Sequence, residues 1–290
     1  MNTQHNRRHF FRLAGISTAV FAGCSSAADS AALAAAPAGM ITPAVKARLK
    51  SQLAMASYTC RKFTLDQALQ MTVRSGLKNI AFKDMHLAMD STPEQIKLAA
   101  EKAKKAGLNL YGCGVVYMKS EAEVNRAFEY AKAAGMKVII GVPEPELLPL
   151  VDKKVKDYNI PVAIHNHGPG DKVYPTPSVI IDKVKTLDKR IGLCIDIGHT
   201  QRMGVDPSDD ATKYADRLID LHVKDVNAAE AKGGTVEIGR GVIDIPKFVR
   251  TLAKIDYKGM IAFEYEKDDS DPLPGLSESV GYFRGAIDAA

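Results

Sequence analysis

The chain has 290 residues, of which 46% are hydrophobic and 25% are charged, a composition typical of one large globular domain or two small ones. Its formal net charge of +5 falls close to neutrality once Arg7, Arg8 and Arg12 of the N-terminal leader are set aside. This balance excludes the strongly basic surface that nucleic-acid binding requires, and nothing in it indicates a membrane-surface protein.

Residues 1–40 are predicted to be an export signal and an Ala-rich linker. Arg7 and Arg8 precede aromatic residues and an apolar run from Leu13 to Gly23, about half the roughly 20 residues that a membrane span requires. The stretch resembles a twin-arginine signal, which predicts export of a folded protein to the periplasm. Its ending, FAGC, resembles a lipoprotein cleavage box, in which Cys24 would carry a lipid anchor. Cleavage within the low-complexity residues 31–39 is the alternative.

From about residue 50 onward, short apolar runs alternate with helical stretches. One predicted helix begins at Thr64 and ends at Gly76, and another is capped by Ser91 or Thr92 and ends at Gly107. The predicted strands are residues 52–58, 78–82, 108–116, 136–142, 160–167, 191–198, 217–225 and 259–266.

The order of helix end, glycine and strand start recurs in KKAGLNLYG and KAAGMKVIIG, about 28 residues apart, which is typical of a repeated βα unit. About eight such units predict an α/β fold, a (β/α)₈ TIM barrel, over residues 41–290. An open doubly wound sheet is the alternative, but no glycine-rich phosphate-binding loop follows a predicted strand. The widely spaced Cys60, Cys113 and Cys194 are predicted to be buried free thiols.

Polar side chains interrupt four successive apolar runs near the predicted strand ends. They are His165, Asp196, His222 and Glu264. Burying such a group alone costs on the order of 2 kcal/mol or more, and the carboxyl ends of all strands in a parallel barrel meet on one face. The four are therefore predicted to bind a divalent metal ion, although each alone could be a helix cap, half of an ion pair or a core histidine. Imidazole and carboxylate without thiolate favour Mn²⁺, with Mg²⁺, Co²⁺ or Zn²⁺ as alternatives.

Five segments carry a family resemblance: IHNHGPGDKVYPTP, CIDIGHTQRMGVDP, RLIDLHVKD, EIGRGVIDIPKF and AFEYE. Together they resemble the xylose-isomerase-like TIM barrels, a superfamily of sugar isomerases and epimerases that includes inosose dehydratases and ketose 3-epimerases. The similarity covers roughly residues 50–288. It implies a metal held from four successive strands, and it places Asp196, His222 and Glu264 in the last three positions.

The first metal position departs from the family pattern. Epimerases usually carry Glu at the end of the fifth strand, where this chain has His165. Their proton relay between two glutamates is therefore in doubt here. Glu144, after the fourth strand, is an alternative carboxylate, although it is also typical of a helix start, where the helix dipole favours acidic residues.

Further candidates follow from their positions near the strand ends. His167 shares a side with His165 and is either the base or a partner that orients a ligand. Lys224 would stabilise an oxyanion, or else pair with Asp225 or Glu266, and Glu266 is a reserve ligand. The predicted catalytic residues are therefore His167, Lys224 and Glu264. The predicted substrate contacts are Lys83, His86, His199, the last on the family resemblance, and Arg240.

A metal site of this kind supports removal of the proton next to the carbonyl of a keto sugar, because a divalent cation stabilises the enediolate that forms. Reprotonation gives isomerisation or epimerisation, whereas loss of a β-substituent makes the chain a lyase on 3-keto-glycosides. Since sugar phosphates belong to the cytoplasm, an exported enzyme is expected to act on free sugars or glycosides.

A noncatalytic sugar-binding lipoprotein is the third alternative, and the near-neutral charge disfavours a nuclease of the endonuclease IV type. The sequence is compatible with a homo-oligomer but does not decide the oligomeric state.

Overall fold

The computed structural model describes residues 41–290. The predicted export signal, the Ala-rich linker and Cys24 lie outside these residues. Within them, no helix combines the length and the apolar character needed to cross a bilayer.

Eight parallel strands close into a barrel, which confirms the predicted (β/α)₈ fold. The barrel strands are β1 (Leu53–Ala56), β2 (Asn79–Phe82), β3 (Asn109–Met118), β4 (Val138–Pro143), β5 (Val162–His165), β6 (Ile191–Asp196), β7 (Leu218–Val223) and β10 (Ile261–Phe263). Each strand pairs with its neighbours in chain order, and β10 closes the barrel by pairing with both β7 and β1. A separate antiparallel ribbon consists of β8 (Asp225–Val226) and β9 (Thr235–Val236).

Helices alternate with the strands along the chain. The α-helices of residues 41–290 are α1 (Pro43–Ser51), α2 (Leu65–Arg74), α3 (Pro93–Lys105), α4 (Glu121–Ala133), α5 (Leu148–Tyr158), α6 (Pro177–Val184), α7 (Ile197–Arg202), α8 (Pro207–Lys213), α9 (Ile245–Lys254) and α10 (Pro272–Ala289). Helices cover the outside of such a barrel and side chains fill its interior, so the strands are buried on both faces and read as continuous apolar runs.

The predicted helix boundaries follow from local capping. Thr64 accepts a hydrogen bond from the backbone of the third residue of α2, and Thr92, not Ser91, does the same for α3. Gly76 and Gly107 adopt φ angles of 78° and 75° just after these helices, a conformation that glycine adopts without strain.

The strand register decides which side chains share a level inside the barrel. His165 pairs with Cys194, and Asp196 pairs with His222. Since alternate residues of a strand point to the same side, Cys194 lies one layer deeper than Asp196 on the same face of β6. Cys194, like Cys60 and Cys113, is a buried free thiol, as the sequence predicts.

Candidate active site

Four polar side chains converge at the carboxyl-terminal mouth of the barrel. His165, Asp196, His222 and Glu264, called here the quartet, are all buried. One possible ligand atom from each lies within 4.8 Å of the others. The structure thus brings together the four residues that the sequence singles out. Their role as metal ligands stays a prediction.

Several atoms of the quartet are buried without a hydrogen-bond partner among the described residues. They include both ring nitrogens of His165 and Nδ1 of His222. Buried polar atoms are normally paired, because leaving them unpaired is costly. A divalent cation would satisfy them, and two imidazoles with two carboxylates suit ions such as Mn²⁺, Co²⁺ or Zn²⁺. The residues present therefore fit the predicted metal.

Lys224 lies between the carboxylates of the quartet. Its Nζ is 2.9 Å from Asp196 Oδ2 and 2.7 Å from Glu264 Oε2, and it also pairs with Glu266. Burial alone would lower the pKa of Lys224, but the surrounding carboxylates raise it well above its ordinary value. The side chain is therefore a buried ammonium that compensates the negative charge of the site.

Two alternative ion pairs are predicted for Lys224, one with Glu266 and one with Asp225. The pair with Glu266 is present. The pair with Asp225 is wrong, because the Asp225 carboxylate instead accepts hydrogen bonds from backbone N–H groups of the loop that follows β8 and β9. Stabilisation of an oxyanion by Lys224 stays a prediction.

Asp196 combines two roles that the sequence presents as alternatives. Its Oδ1 accepts a hydrogen bond of 2.8 Å from the backbone N–H of His199 and so caps α7. Its Oδ2 faces the quartet and lies 3.4 Å from His165 Nε2. One carboxylate therefore begins the helix and also presents an oxygen to the predicted metal.

The two imidazoles of the quartet differ in their affinity for a proton. Burial lowers the pKa of His165 to about 3, so this ring is neutral near pH 7 and keeps a lone pair for a metal. Burial also acts to lower the pKa of His222, but the charge of Glu264, whose Oε2 is 3.3 Å from Nδ1, raises it overall. A cation that binds His222 would therefore compete with a proton.

A cavity of about 340 Å³ opens beside the quartet. Its lining includes the predicted candidates Lys83, His167 and His199, and it also includes aromatic residues that the sequence reading missed. The full lining is Tyr58, Lys83, Val115, Tyr117, His165, His167, His199, Glu264 and Glu266. Tyr58 follows β1 and Tyr117 lies near the end of β3, so the rule used for the metal ligands, polar groups at strand ends, would also have found them.

His167 lies on the cavity wall between two polar partners. Its Nε2 is 3.1 Å from Tyr117 Oη, and its Nδ1 is 3.8 Å from Asp171 Oδ2. Burial lowers the pKa of His167, which favours the neutral ring that a general base requires. The nearby Asp171 carboxylate would stabilise the imidazolium after proton transfer.

Arg202 determines which nitrogen of His199 carries the proton. Arg202 Nη1 lies 3.3 Å from His199 Nδ1, and Nη2 donates a 2.9 Å hydrogen bond to the carbonyl of Ala231. Because a guanidinium only donates hydrogen bonds, His199 Nδ1 must accept, and the proton is placed on Nε2. His199 is therefore arranged as a hydrogen-bond donor at the cavity wall.

Two predicted substrate contacts, His86 and Arg240, are not among the residues that line the cavity. His86 Nδ1 is 2.8 Å from Ser57 Oγ, and its Nε2 is within 3.2 Å of the carbonyl oxygens of Cys60 and Phe63, so both ring nitrogens hold the segment after β1. Arg240 is largely exposed and pairs with Glu278 through Nη2 and Oε2 at 2.8 Å. Glu144 likewise does not line the cavity, whereas the reserve ligand Glu266 does.

A family model described as the xylose isomerase-like TIM barrel matches residues 69–286. The chain belongs to this family. Rhizopine catabolism protein MocC of Rhizobium meliloti is 24% identical over 145 residues, which are 45% of this chain and 44% of that protein. An inosose dehydratase of Lacticaseibacillus casei is 27% identical over 128 residues, 38% of this chain and 42% of that protein. The matches thus span less than half the length of these curated relatives.

Two solved structures superpose over most of the chain. An L-ribulose 3-epimerase aligns with a TM-score of 0.67 and 13% identity, covering 82% of this chain and 94% of that one. A 3-keto-D-glucoside 4-epimerase from E. coli aligns with a TM-score of 0.63 and 13% identity, covering 76% and 94%. At these identities the likeness shows the shared fold.

Proposed function

We propose that the chain is a divalent-metal-dependent enzyme that removes the proton next to the carbonyl of a keto sugar and returns it to give an isomer or epimer. The observation that carries this proposal is the quartet of buried, partly unpartnered donor atoms beside a cavity whose wall holds two further imidazoles, His167 and His199. Epimerases and dehydratases among the relatives support the same class of chemistry.

The quartet would bind the metal, and His167 would transfer the proton. His165, Asp196, His222 and Glu264 would hold the cation, which when bound supplies a Lewis acid for the carbonyl and its neighbouring hydroxyl. The neutral ring of His167 accepts the proton from the carbon next to the carbonyl, a transfer that requires the ring to lie within hydrogen-bond reach of that carbon's proton.

His199 binds and orients the substrate. Its Nε2–H is fixed as a donor by Arg202 and donates to a substrate oxygen. The Lys224 ammonium contacts the carboxylates of Asp196 and Glu264 and balances their negative charge.

The cavity wall favours an uncharged sugar over a sugar phosphate. Its lining holds no arginine, and Lys83 already donates a 2.6 Å hydrogen bond to the carbonyl of Val115. Phosphate recognition normally uses arginine forks, unpaired lysines or helix N-termini. Tyr58 and Tyr117 instead offer aromatic surface. An uncharged sugar or glycoside also agrees with the export to the periplasm that we propose from residues 1–40.

Elimination from a 3-keto-glycoside is the second candidate function. Epimerisation at one carbon requires proton transfer on both faces, whereas elimination requires one base and a leaving group. Glu144, the alternative carboxylate for a relay, does not line the cavity, and Glu266 is held in an ion pair with Lys224. Apart from Glu264, which belongs to the quartet, and Glu266, the cavity lining holds no carboxylate that could act with His167 as a second base.

A labelling experiment tests the proposal and separates the two outcomes. The Mn²⁺-loaded protein is incubated in D₂O with keto sugars and with 3-keto-glycosides, and the products are followed by mass spectrometry and NMR. Deuterium in an intact sugar is the expected result for an isomerase or epimerase, and a released aglycone is the result for elimination. Both reactions should stop when the metal is chelated. Tight sugar binding with neither exchange nor release would contradict the enzymatic proposal.

Replacing Arg202 with Ala is expected to raise KM for the sugar about tenfold while changing kcat much less, because the loss of one oriented hydrogen-bond donor is worth roughly 1.4 kcal/mol. Steady-state kinetics of the metal-loaded protein measure the split. Arg240→Ala is the matched control, because Arg240 pairs with Glu278 at the surface, and its KM should stay at the parent value. An unchanged KM in Arg202→Ala would refute the role assigned to this guanidinium.

A further inference from the structure

A second set of donor atoms lies inside the barrel, one layer below the mouth. Cys194 Sγ and one nitrogen each from His165 and His222 lie within 4.8 Å of one another. Cys194 is fully buried, and the two imidazoles are 2% and 1% exposed. We call Cys194, His165 and His222 the thiol set. His165 and His222 also belong to the quartet.

The strand register explains why the two sets share the imidazoles. Cys194 pairs directly with His165 across β5 and β6, and it precedes Asp196 by two residues on the same face of β6. His165 Nε2 faces Asp196 at 3.4 Å, while its Nδ1 is also buried and has no hydrogen-bond partner in the described part of the chain. Both nitrogens of this ring therefore lack a hydrogen-bond partner among the described residues, and the thiol set and the quartet depend on the same ring.

The two sets differ in the ions that they favour. The quartet adds two carboxylates to the imidazoles, and carboxylate oxygen suits Mn²⁺ and Mg²⁺. The thiol set adds a sulfur ligand, which favours softer ions, and zinc in proteins is commonly bound by cysteine and histidine together. Asp220, whose Oδ1 is 3.9 Å from Cys194 Sγ, places a further carboxyl beside the thiol.

We propose that Cys194, His165 and His222 form a separate binding position for soft divalent cations such as Zn²⁺ and Cd²⁺, deeper in the barrel than the quartet. When the cation binds, a metal–sulfur bond replaces the S–H bond, the thiol proton passes to solvent, and no group is oxidised or reduced. An ion in the thiol set occupies both imidazoles of the quartet. The soft ion therefore excludes the ion that the quartet would hold, and this inhibitory consequence rests on the proposed function.

Cadmium absorption tests the thiol set directly, independently of any sugar reaction. Titration of the metal-free protein with Cd²⁺ is expected to produce a thiolate-to-cadmium charge-transfer band in the ultraviolet. Cys194→Ser and Cys194→Ala should both lose this band. Cys113→Ser is the matched control, because Cys113 is also a buried barrel thiol but lies outside the set, and it should keep the band. Circular dichroism checks that each variant is folded, and two Cys194 variants are used so that one misfolded protein does not decide the test.

Competition between metals tests whether the two sets exclude each other. In equilibrium dialysis, the Zn²⁺ concentration that displaces half of the bound Mn²⁺ is expected to be at least about tenfold higher for Cys194→Ser than for the parent protein, while Mn²⁺ affinity changes much less. Absence of the cadmium band in the parent protein, or equal zinc affinity in the parent and Cys194→Ser, would overturn the proposal. Because these measurements follow bound metal, failure of the keto-sugar reaction would leave their outcome intact.

Discussion

Asp196→Asn is expected to remove divalent-metal binding at the quartet and to lower kcat/KM at least about a thousandfold, which corresponds to roughly 4 kcal/mol of transition-state stabilisation. The physical reason is the loss of one negative charge from the oxygen that faces His165. In the parent protein the His199 backbone N–H donates a 2.8 Å hydrogen bond to Asp196 Oδ1. The side-chain oxygen of Asn can accept the same bond, so the cap of α7 is kept. The substitution therefore separates the ligand role of Asp196 from its structural role.

Isothermal titration with Mn²⁺ measures the binding loss, and circular dichroism in the presence of a chelator checks that the fold is unchanged. Glu278→Gln is the control, because it also converts a carboxylate to an amide but does so at the surface, opposite Arg240. Its Mn²⁺ affinity should match that of the parent. If Asp196→Asn binds Mn²⁺ as tightly as the parent protein, the quartet is not the metal site.

Lys224→Met is expected to destabilise the metal-free protein by about 3–5 kcal/mol, because it leaves carboxylates that are buried without a positive partner. Asp196 and Glu264 both lie within 3 Å of the Lys224 ammonium, and Lys224 as a whole residue is 3% exposed. A divalent cation in the quartet would supply the missing positive charge. The loss of stability should therefore be much smaller when Mn²⁺ is bound.

Thermal unfolding with a chelator and with Mn²⁺ measures this difference. In the chelator, the Tm of Lys224→Met is expected to fall by on the order of 10 °C. Lys267→Met is the matched control, since Lys267 pairs with Glu237 at 2.8 Å but is 46% exposed, and exposed pairs contribute about 1 kcal/mol or less. Equal losses with and without Mn²⁺ would show that no cation binds near the Lys224 ammonium.

The quartet could be predicted because its members obey a rule that depends only on chain topology. Each of them interrupts an apolar run near its end, and in a parallel barrel all such ends lie on one face. Asp196 and His222 also lie level in the register of β6 and β7, but this register includes a shift after Leu193 that the structure alone shows. The same rule applied to β1 and β3 would have included Tyr58 and Tyr117.

His86 and Arg240 show where this reasoning fails. Both lie in segments that follow strands, yet their side chains turn to partners of their own. His86 uses both ring nitrogens on Ser57 and the adjacent backbone, and Arg240 pairs with Glu278 at the surface. A loop residue has several partners within reach, and neither periodicity nor spacing states which of them its rotamer will meet.

The sequence by itself determined the alternation of strands and helices, the barrel class, the cap at Thr64 and the members of the quartet, because hydrophobic period and capping act over a few neighbouring residues. Only the tertiary structure decided that Lys224 lies among three carboxylates from two different segments, that Arg202 orients His199, and that Cys194 shares imidazoles with the quartet. These contacts depend on strand register and on side-chain rotamers in a packed interior, and both are set by the whole barrel at once.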